Sequence, residues 1–481
     1  MQKHTNIIGG QRIPPASGKY YAIRNPARPG ERLAEFADSN EADVRSAVGA
    51  AAEAAPAWAE TPGPHRGVLL FRLAQLLEDS KEALGRIVTL EQGKSLAESI
   101  GEVGRAAAEA RFMAGEASRP LGHTFPSERP GASCFTVAEP LGVVATICPW
   151  NFPVVTPVRK IAPALAWGNA VVFKPASLTP WSALHLLDLI DRAGIPPGAV
   201  NLVTGAGSVV GEALTHDARV NGVSFTGSSR VGSHLAEAAS RRLARVQLEL
   251  GGKNPAVVVD CRDLDAAARE IVGAAFLCSG QRCTAISRVI VAEAEADSLV
   301  DRILYHVDRI KVGDGLQTGT TMGPLVSDVQ LRTVQGYVRQ GQESGCEVLR
   351  GGRTLTDDPQ REGYYFAPTV FDRVPAESPL AVEEIFGPVL PILRVRDFDE
   401  AVRVANATRY GLAASLFTSR PAYMHEFARR VSAGMIHINH GTASQAHVPF
   451  GGVKDSGQGA YSIGHTAREF YTNVKAIYVK W

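Results

Sequence analysis

Five short apolar runs, separated by helical stretches, dominate the chain between residues 141 and 252. The runs are VVATIC, AVVFK, VNLV, GVSF and VQLEL, and segments such as SALHLLDLIDRAG lie between them. Buried strands that alternate with helices are typical of βαβ units and a parallel sheet. The pattern predicts an α/β fold whose ligands bind at the carboxyl ends of the strands.

The segments on either side extend this architecture. Residues 41–117 have the apolar spacing of amphipathic helices, and runs such as SRVIVA and GLAASLFTS predict a second α/β domain over about 253–448. The C-terminal EFYTNVKAIYVKW alternates like a strand but has no following element to pair with. Terminal strands of this kind often join a neighbouring sheet, so we expect a homo-oligomer.

Charge and cysteine content exclude several classes of protein. The 481 residues include 50 Lys and Arg against 49 Asp and Glu, and no basic run is interleaved with aromatics, which argues against nucleic acid as a partner. No stretch approaches the roughly 18 apolar residues of a membrane span, and the N-terminus lacks a signal-peptide pattern. Six scattered cysteines without CxxC or HExxH predict neither a disulfide scaffold nor a metal site. We expect a cytoplasmic protein without a membrane partner.

Two glycine-rich loops could bind a cofactor. GAGSVVG at 205–211 has the spacing GxGxxxG, which favours an ordinary turn from strand to helix over a dinucleotide fingerprint. TGSSRVG at 226–232 follows an apolar strand and opens a helix, so its N–H groups and the Ser228 hydroxyl could hold a phosphate. For this second loop, a plain turn and a phosphate site remain equally open.

Three polar residues stand at or just after the predicted strands. Asn151, in the rigid PWNFP loop, could donate to an oxyanion, although a proline-rich turn around a buried Trp is the alternative. Lys174 ends AVVFK, where it could reach ribose or phosphate or be solvated. Glu249 lies in an apolar strand, where burial would raise its pKa toward that of a general base. A structural carboxylate is the alternative for Glu249.

The stretch CSGQRCTA at 278–285 contains two cysteines. Cys283 follows Arg282 at what we interpret as the start of a helix, and a helix N-terminus and an adjacent Arg both favour the reactive thiolate. Taken alone, a cysteine is more often an inert core residue, which is the alternative for Cys283. Cys278, preceded by AAFL, fits core packing better.

The ordered series PWNFP, KPA, FTGS, ELGGKNP, GQRC, EEIFGPV and PFGG resembles the motif set of the aldehyde dehydrogenase superfamily over nearly the whole chain. The resemblance implies a Rossmann-type NAD(P)-binding domain, an α/β catalytic domain and a small β oligomerisation segment. Their expected ranges are, respectively, 1–117 with 141–252, 253–448, and 118–140 with 449–481.

The resemblance also implies catalytic roles. Cys283 would attack the aldehyde carbon to form a thiohemiacetal, and the Asn151 amide with the Cys283 backbone N–H would hold the oxyanion. Hydride transfer to the nicotinamide would leave a thioester, and Glu249 would activate the water that hydrolyses it. The retained Glu249 argues against transfer of the acyl group to coenzyme A.

Family members bind the cofactor through residues that match Ile147, Trp150, Lys174, Ser177, Gly227, Ser228, Leu250, Glu384 and Phe386. NAD-preferring members often carry a glutamate three residues after the Lys of KPA, which repels a 2′-phosphate. The neutral Ser177 at this position predicts NADP, with NAD also possible.

Within the family, the chain resembles the bacterial 2-oxoglutarate semialdehyde (2,5-dioxopentanoate) and succinate semialdehyde dehydrogenases. Arg159 matches an Arg that binds the distal carboxylate in these enzymes, a task suited to a bidentate guanidinium. Leu277 replaces a second Arg of succinate semialdehyde enzymes, whereas Arg282 matches SGQRCTA of non-phosphorylating glyceraldehyde-3-phosphate dehydrogenases. Succinate semialdehyde, phosphorylated, hydroxylated or aromatic aldehydes therefore stay open, as does a non-catalytic binding protein on the same scaffold.

Overall fold

The computed structural model describes residues 2–119, 122–357 and 362–481. Its helices are α1 Glu41–Glu60, α2 Gly63–Asp79, α3 Lys81–Gln92, α4 Leu96–Glu116, α5 Val155–Ala166, α6 Pro180–Arg192, α7 Glu212–His216, α8 Ser229–Ser240, α9 Leu264–Phe276, α10 Glu293–Val307, α11 Asp328–Glu343, α12 Pro379–Val382, α13 Phe398–Asn406, α14 Pro421–Arg430 and α15 Arg468–Tyr471.

The strands are β1 Lys3–His4, β2 Asn6–Ile8, β3 Gln11–Ile13, β4 Tyr20–Asn25, β5 Arg28–Ala37, β6 Thr124–Phe125, β7 Ala132–Pro140, β8 Val143–Ile147, β9 Ala170–Lys174, β10 Val200–Leu202, β11 Val220–Thr226, β12 Arg245–Glu249, β13 Asn254–Val258, β14 Ile286–Ala292, β15 Glu347–Arg350, β16 Thr369–Asp372, β17 Val389–Val395, β18 Ala413–Phe417, β19 Met435–Ile438, β20 Gly457–Gln458 and β21 Thr472–Lys480.

The five apolar runs form the parallel centre of an eight-stranded sheet. The strand order is β20-β12-β11-β8-β9-β10-β2-β3, with antiparallel strands at both ends. Because helices cover both faces, central strands such as β8 and β9 are buried along their whole length, which explains their continuous apolar runs. The predicted α/β architecture is confirmed.

A second sheet of seven strands follows in the order β15-β16-β17-β14-β13-β18-β19. All neighbouring pairs are parallel except β15 with β16. Two apolar clusters pack on its faces, and Phe371 and Phe427 are among their fully buried members. This sheet occupies the sequence range predicted for the second α/β domain.

Helices α1 to α4 form the predicted helical stretch before the first sheet. Asn40 and Ser95 cap α1 and α4 with reciprocal capping boxes, which satisfy free N–H groups at both starts. Helix α5 differs from the others because all twelve of its residues are buried. It begins directly after the PWNFP loop, so the position of that loop is fixed by a helix inside the core.

The C-terminal strand β21 pairs antiparallel with β7 along all nine residues, and β6 lies on the other side of β7. The strand β21 therefore has a partner within its own chain. Only one of its two edges is paired in this way, and no strand of the described residues lies on the other edge. Part of the predicted oligomerisation segment 449–481 lies elsewhere, because β20 joins β12 in the eight-stranded sheet. Residues 120 and 121, in the 118–140 part of the predicted segment, lie outside the described residues.

No helix among the described residues has the length and apolar character needed to cross a bilayer. The same residues contain no cluster of His, Cys, Asp and Glu arranged to hold a metal ion. The cytoplasmic location expected from the sequence stays a prediction.

Candidate active site

One pocket brings together the three predicted catalytic residues. Asn151 comes from the loop after β8, Glu249 from the last position of β12, and Cys283 from the loop before β14. Strands β8 and β12 both end at the carboxyl edge of the first sheet, where parallel sheets bind their ligands. The nucleophile loop reaches this edge from the second sheet, so the pocket lies between the two.

The expected helix at Cys283 is wrong. A short 3₁₀ turn ends at Gly280, and residues 281–285 then form a loop that leads into strand β14. Cys278 and Ser279 have positive φ angles of 54° and 56°, a conformation that local sequence preferences do not favour in non-glycine residues. The chain therefore turns sharply here, and no helix N-terminus stabilises a thiolate at Cys283.

Side chains from elsewhere hold this nucleophile loop in place. The Asn254 amide donates to the carbonyl oxygens of Cys283 and Ala285, both at 2.8 Å. The Ser279 hydroxyl donates to the Gly323 carbonyl at 2.7 Å, and the Gln281 side-chain oxygen accepts from a backbone N–H at 2.9 Å. These hydrogen bonds, and not a local helix, hold the nucleophile loop in its conformation.

Asn151 is oriented by the same loop. Its side-chain Nδ2 donates to the Gln281 carbonyl at 3.0 Å, and the residue is buried. An amide nitrogen carries two hydrogens, so one fixes the group and the second remains available to the pocket. The geometry suits a donor to an oxyanion formed beside Cys283.

Glu249 has the buried position that the sequence predicts. Burial raises the pKa of its carboxyl above the ordinary value, and Lys160 and Arg159 offset only part of this effect. One carboxyl oxygen accepts from the Thr226 hydroxyl at 3.5 Å, and the other has no partner among the described residues. An orphaned oxygen facing the pocket is suited to accepting a proton from water.

The Cys283 thiol is disfavoured as an anion in this pocket. Burial, with the nearby Glu249 carboxylate as the second cause, raises the pKa of Cys283 to about 12. Cys278 is a separate case, because it is buried and its sulfur lies 3.6 Å from the Gln92 amide nitrogen, away from the pocket. Its predicted role in core packing fits this position.

Six of the predicted cofactor residues also line the pocket: Trp150, Gly227, Ser228, Leu250, Glu384 and Phe386. Ile147 and Lys174 lie beside it, paired in register at the ends of β8 and β9. Ser177, in the loop after β9, donates to the Gly205 carbonyl at 2.8 Å. Ile147, Lys174 and Ser177 do not line the pocket itself. They lie at the same carboxyl edge of the sheet, on the side away from Cys283.

The shape of this edge fits a dinucleotide. Ser228 caps helix α8, whose first N–H groups and positive dipole end suit a pyrophosphate. The Glu384 carboxylate accepts from the Gly252 N–H at 2.9 Å, and burial raises its pKa to about 7. A Cβ on Gly251 would lie 2.1 Å from Glu384, so this glycine keeps the approach open.

Three arginines line the pocket near its substrate end: Arg105, Arg159 and Arg282. Arg159 is not solvated, because it is buried, stacks 4.3 Å from the Phe450 ring centroid, and pairs with Glu109 at 2.7 and 3.2 Å. The Arg159 guanidinium was expected to pair with the carboxylate of the substrate. In the structure, the Glu109 carboxylate already makes this bidentate pair. Neither Arg105 nor Arg282 forms an ion pair with a described carboxylate, so both retain unpaired positive charge.

Sequence reasoning missed Arg105, Thr226, Gln330 and Phe450. Arg105 lies on α4, and an Arg on an amphipathic helix is ordinarily solvated, so nothing local indicated it. Gln330 donates to the carbonyls of Ile385 and Phe386 and so supports the cofactor loop across 56 positions of sequence. Two of these residues had a usable signal, because Phe450 lies in the PFGG motif and Thr226 lies in TGSSRVG.

Comparisons with known proteins identify the family of the chain. The aldehyde dehydrogenase family model matches residues 13–477. The chain is 40% identical over 478 residues to the alpha-ketoglutaric semialdehyde dehydrogenase of Bacillus subtilis, covering 99% of this chain and 98% of the relative.

Solved structures give the same result. An NAD-dependent aldehyde dehydrogenase from Sinorhizobium meliloti superposes with a TM-score of 0.97 at 37% identity, covering 100% of this chain and 95% of the other. An E. coli NADP dependent enzyme superposes with a TM-score of 0.97 at 34% identity, covering 100% and 98%. The chain therefore belongs to the aldehyde dehydrogenase family, whose members oxidise aldehydes with NAD(P).

Proposed function

We propose that the chain oxidises a short semialdehyde with a distal carboxylate, of the 2-oxoglutarate semialdehyde type, to the acid. The observation that carries this proposal is a pair of arginines in the pocket of Cys283, Arg105 and Arg282, which have no carboxylate partner in the described part of the chain. Guanidinium groups recognise carboxylates through charge-assisted hydrogen bonds. The name of the Bacillus subtilis relative agrees with this substrate class.

In the proposed mechanism, Cys283 attacks the aldehyde carbon and passes its proton to the Glu249 carboxylate. The second hydrogen of the Asn151 amide stabilises the oxyanion of the thiohemiacetal. NAD(P), held along Trp150, Ser228 and Glu384, would supply the hydride acceptor. The acyl group is then left on Cys283 as a thioester, and Glu249 releases the first proton to solvent. Glu249 next deprotonates the water that attacks the thioester carbon, and the C–S bond breaks to free the acid and Cys283.

The substrate proposal is tested with matched aldehydes. We would measure kcat/KM for 2-oxoglutarate semialdehyde, succinate semialdehyde and pentanal, which differ in charge and length. The carboxylated aldehydes should exceed pentanal at least tenfold. Arg105→Met and Arg282→Met should each raise KM for them about tenfold or more, since hydrogen bonds to charged groups contribute about 1.5–3 kcal/mol. Equal kcat/KM for charged and uncharged aldehydes would contradict the proposal.

A second candidate substrate is a phosphorylated aldehyde, which the same arginines could bind. Arg282 directly before Cys283 is the observation that favours it. Adding glyceraldehyde 3-phosphate to the panel separates the two, because its kcat/KM should be lower than that of the semialdehydes. The reverse order would replace the leading substrate with this one.

We infer further that NADP is the preferred cofactor and that NAD is also used. Lys174 is buried, which lowers its pKa to about 8, so a 2′-phosphate nearby would favour its charged form. Ser177, next in this loop, carries no charge that would repel a phosphate. Ser177→Glu should raise KM for NADP at least tenfold and leave KM for NAD nearly unchanged.

Leu178→Glu is the matched control, because it adds the same charge at the adjacent exposed position. It should change the ratio of the two KM values much less than Ser177→Glu. A wild-type enzyme that is faster with NAD, or a ratio unaffected by Ser177→Glu, would overturn the inferred preference.

A further inference from the structure

A buried ammonium lies behind the loop that carries Asn151. Lys94 Nζ donates to the Asn151 carbonyl oxygen at 2.6 Å and to the Glu102 carboxylate at 2.8 Å. It also lies 4.0 Å from the ring centroid of Phe152, the next residue of the loop. The side chains of Lys94 and Glu102 are both fully buried. Although burial disfavours its charge, Glu102 holds the pKa of Lys94 above the ordinary value.

The carboxylate of this pair holds the other end of the same loop. Glu102 Oε1 accepts from the backbone N–H groups of Val154 at 2.8 Å and Val155 at 3.0 Å. These two residues stand at the start of helix α5, where N–H groups have no partner within the helix. One ion pair therefore fixes the backbone on both sides of Phe152, directly around Asn151.

The same part of the chain also contacts the nucleophile loop. Glu98, one turn before Glu102 on α4, accepts from the Cys278 backbone N–H through its carboxylate. Gln92 contacts the Cys278 sulfur and accepts from the Lys94 backbone N–H at 2.9 Å. Residues 92–102 thus touch both loops whose separation decides how the Asn151 amide faces Cys283.

We propose that Lys94 and Glu102 are positioning residues that hold the Asn151 amide in the geometry needed for the oxyanion. This inference rests on the oxyanion role of Asn151 in the proposed function. Neither side chain lines the pocket, so neither contacts the reacting atoms directly. Burying an ion pair adds little stability compared with a well-packed apolar pair, so orientation of the loop accounts better for its presence.

A double-mutant cycle between Lys94→Met and Asn151→Ala tests the proposal. Asn151→Ala should lower kcat/KM for the aldehyde about 100-fold, the usual loss when one oxyanion donor is removed. Lys94→Met should lower it about tenfold to 100-fold in the presence of Asn151 but less than threefold in the Asn151→Ala enzyme. The dissociation constant of NADP should stay unchanged in all variants.

Arg66→Met is the matched control. Arg66 is also buried and donates to backbone carbonyls, including that of Ala166 at 3.0 Å, but at the far end of helix α5. Its loss should lower the thermal unfolding temperature without reducing kcat/KM of the folded enzyme. If Lys94→Met fails to fold, Glu102→Gln takes its place in the cycle, because the amide oxygen can still accept from Val154 and Val155.

Two results would overturn the proposal, and they are distinguishable. If Lys94→Met or Glu102→Gln lowers kcat/KM by the same factor with and without Asn151, the pair acts independently of that amide. If Asn151→Ala alone has wild-type kcat/KM, the oxyanion role in the proposed function fails, and the positioning role fails with it.

Discussion

Cys283 and Glu249 occupy surroundings that disfavour their charged forms. Burial raises the pKa of both groups, and the Glu249 carboxylate further raises the pKa of Cys283. The free enzyme therefore keeps its nucleophile as a thiol at neutral pH. A nucleophile in this state needs a neighbouring base, which is the first task that the proposed mechanism assigns to Glu249.

The pKa of Cys283 predicts how its reactivity depends on pH. Because the pKa is raised to about 12, the thiolate fraction of the cofactor-free enzyme should rise about tenfold per pH unit between pH 6 and 9. The rate of alkylation by iodoacetamide, followed by the mass of the Cys283 peptide, should rise in parallel. A plateau below pH 8 would contradict this prediction.

Individual residues differed in how far the sequence could predict them. Glu249 was predictable because a single carboxylate in an apolar strand is buried by the strand itself. Arg105 was not, because the face of α4 that meets the pocket depends on how the helix packs. The pairing of Arg159 with Glu109 was equally hidden, since it joins residues 50 positions apart.

At the scale of elements, the site depends on loops that pass very close to each other. Gly280 has a φ of +70°, and a Cβ there would lie 2.2 Å from the Gly387 carbonyl oxygen. Phe386 itself has a φ of 56° and meets Trp150 edge to face at 5.4 Å. The loop before β14 and the loop before β17 therefore fix each other through backbone contact.

Gly251→Ala should damage cofactor binding more than folding. The new Cβ would lie 2.1 Å from the Glu384 carboxylate and displace it, so KM for NADP should rise at least tenfold. Gly273→Ala is the control, because Gly273 is exposed within helix α9 and its Cβ would meet nothing within 4 Å. That change should leave KM unaltered and add up to about 1 kcal/mol of stability. Wild-type affinity for NADP in Gly251→Ala would contradict the proposed role of this loop.

The strands and long helices were predictable because their patterns are local. The apolar runs and the helical spacing of residues 41–117 each reflect burial of one element against its neighbours. The loop around Cys283 was not, because its positive φ angles are imposed by contacts with Gly323, Asn254 and the 386–388 region. The prediction of a helix start at GQRCTA was wrong because it used the local sequence without these tertiary contacts.

At the scale of the whole molecule, two sheets contribute opposite halves of the reaction site. The eight-stranded sheet provides Glu249 and the Asn151 loop, and the loop entering the seven-stranded sheet provides Cys283. The strands β21-β7-β6 form a separate three-stranded sheet. Val474, Tyr478 and Trp481 on and after β21 are each more than 70% exposed, so this is the surface that we expect a second copy to cover in the predicted homo-oligomer.

Charged substitutions on β21 test this expected homo-oligomer. Val474→Lys with Tyr478→Lys should convert the oligomer to a smaller species in light scattering, because two buried charges would face each other across the contact. Val329→Lys, at an exposed apolar residue on α11, should leave the mass unchanged. A wild-type enzyme that is already monomeric would contradict the expectation.

The mass of Glu249→Gln after a single turnover tests whether Cys283 carries the acyl group and Glu249 activates the water that releases it. At pH 9, where loss of the Glu249 carboxylate lets part of Cys283 ionise without a base, this variant should react slowly with NADP and 2-oxoglutarate semialdehyde. It should release one NADPH per site and then stall, because the Cys283 thioester lacks its base for hydrolysis. Mass spectrometry should find the acyl group on the Cys283 peptide, and no acyl adduct in the Cys283→Ala, Glu249→Gln double variant. Continued turnover at the wild-type rate, or an adduct on another residue, would contradict these roles of Cys283 and Glu249.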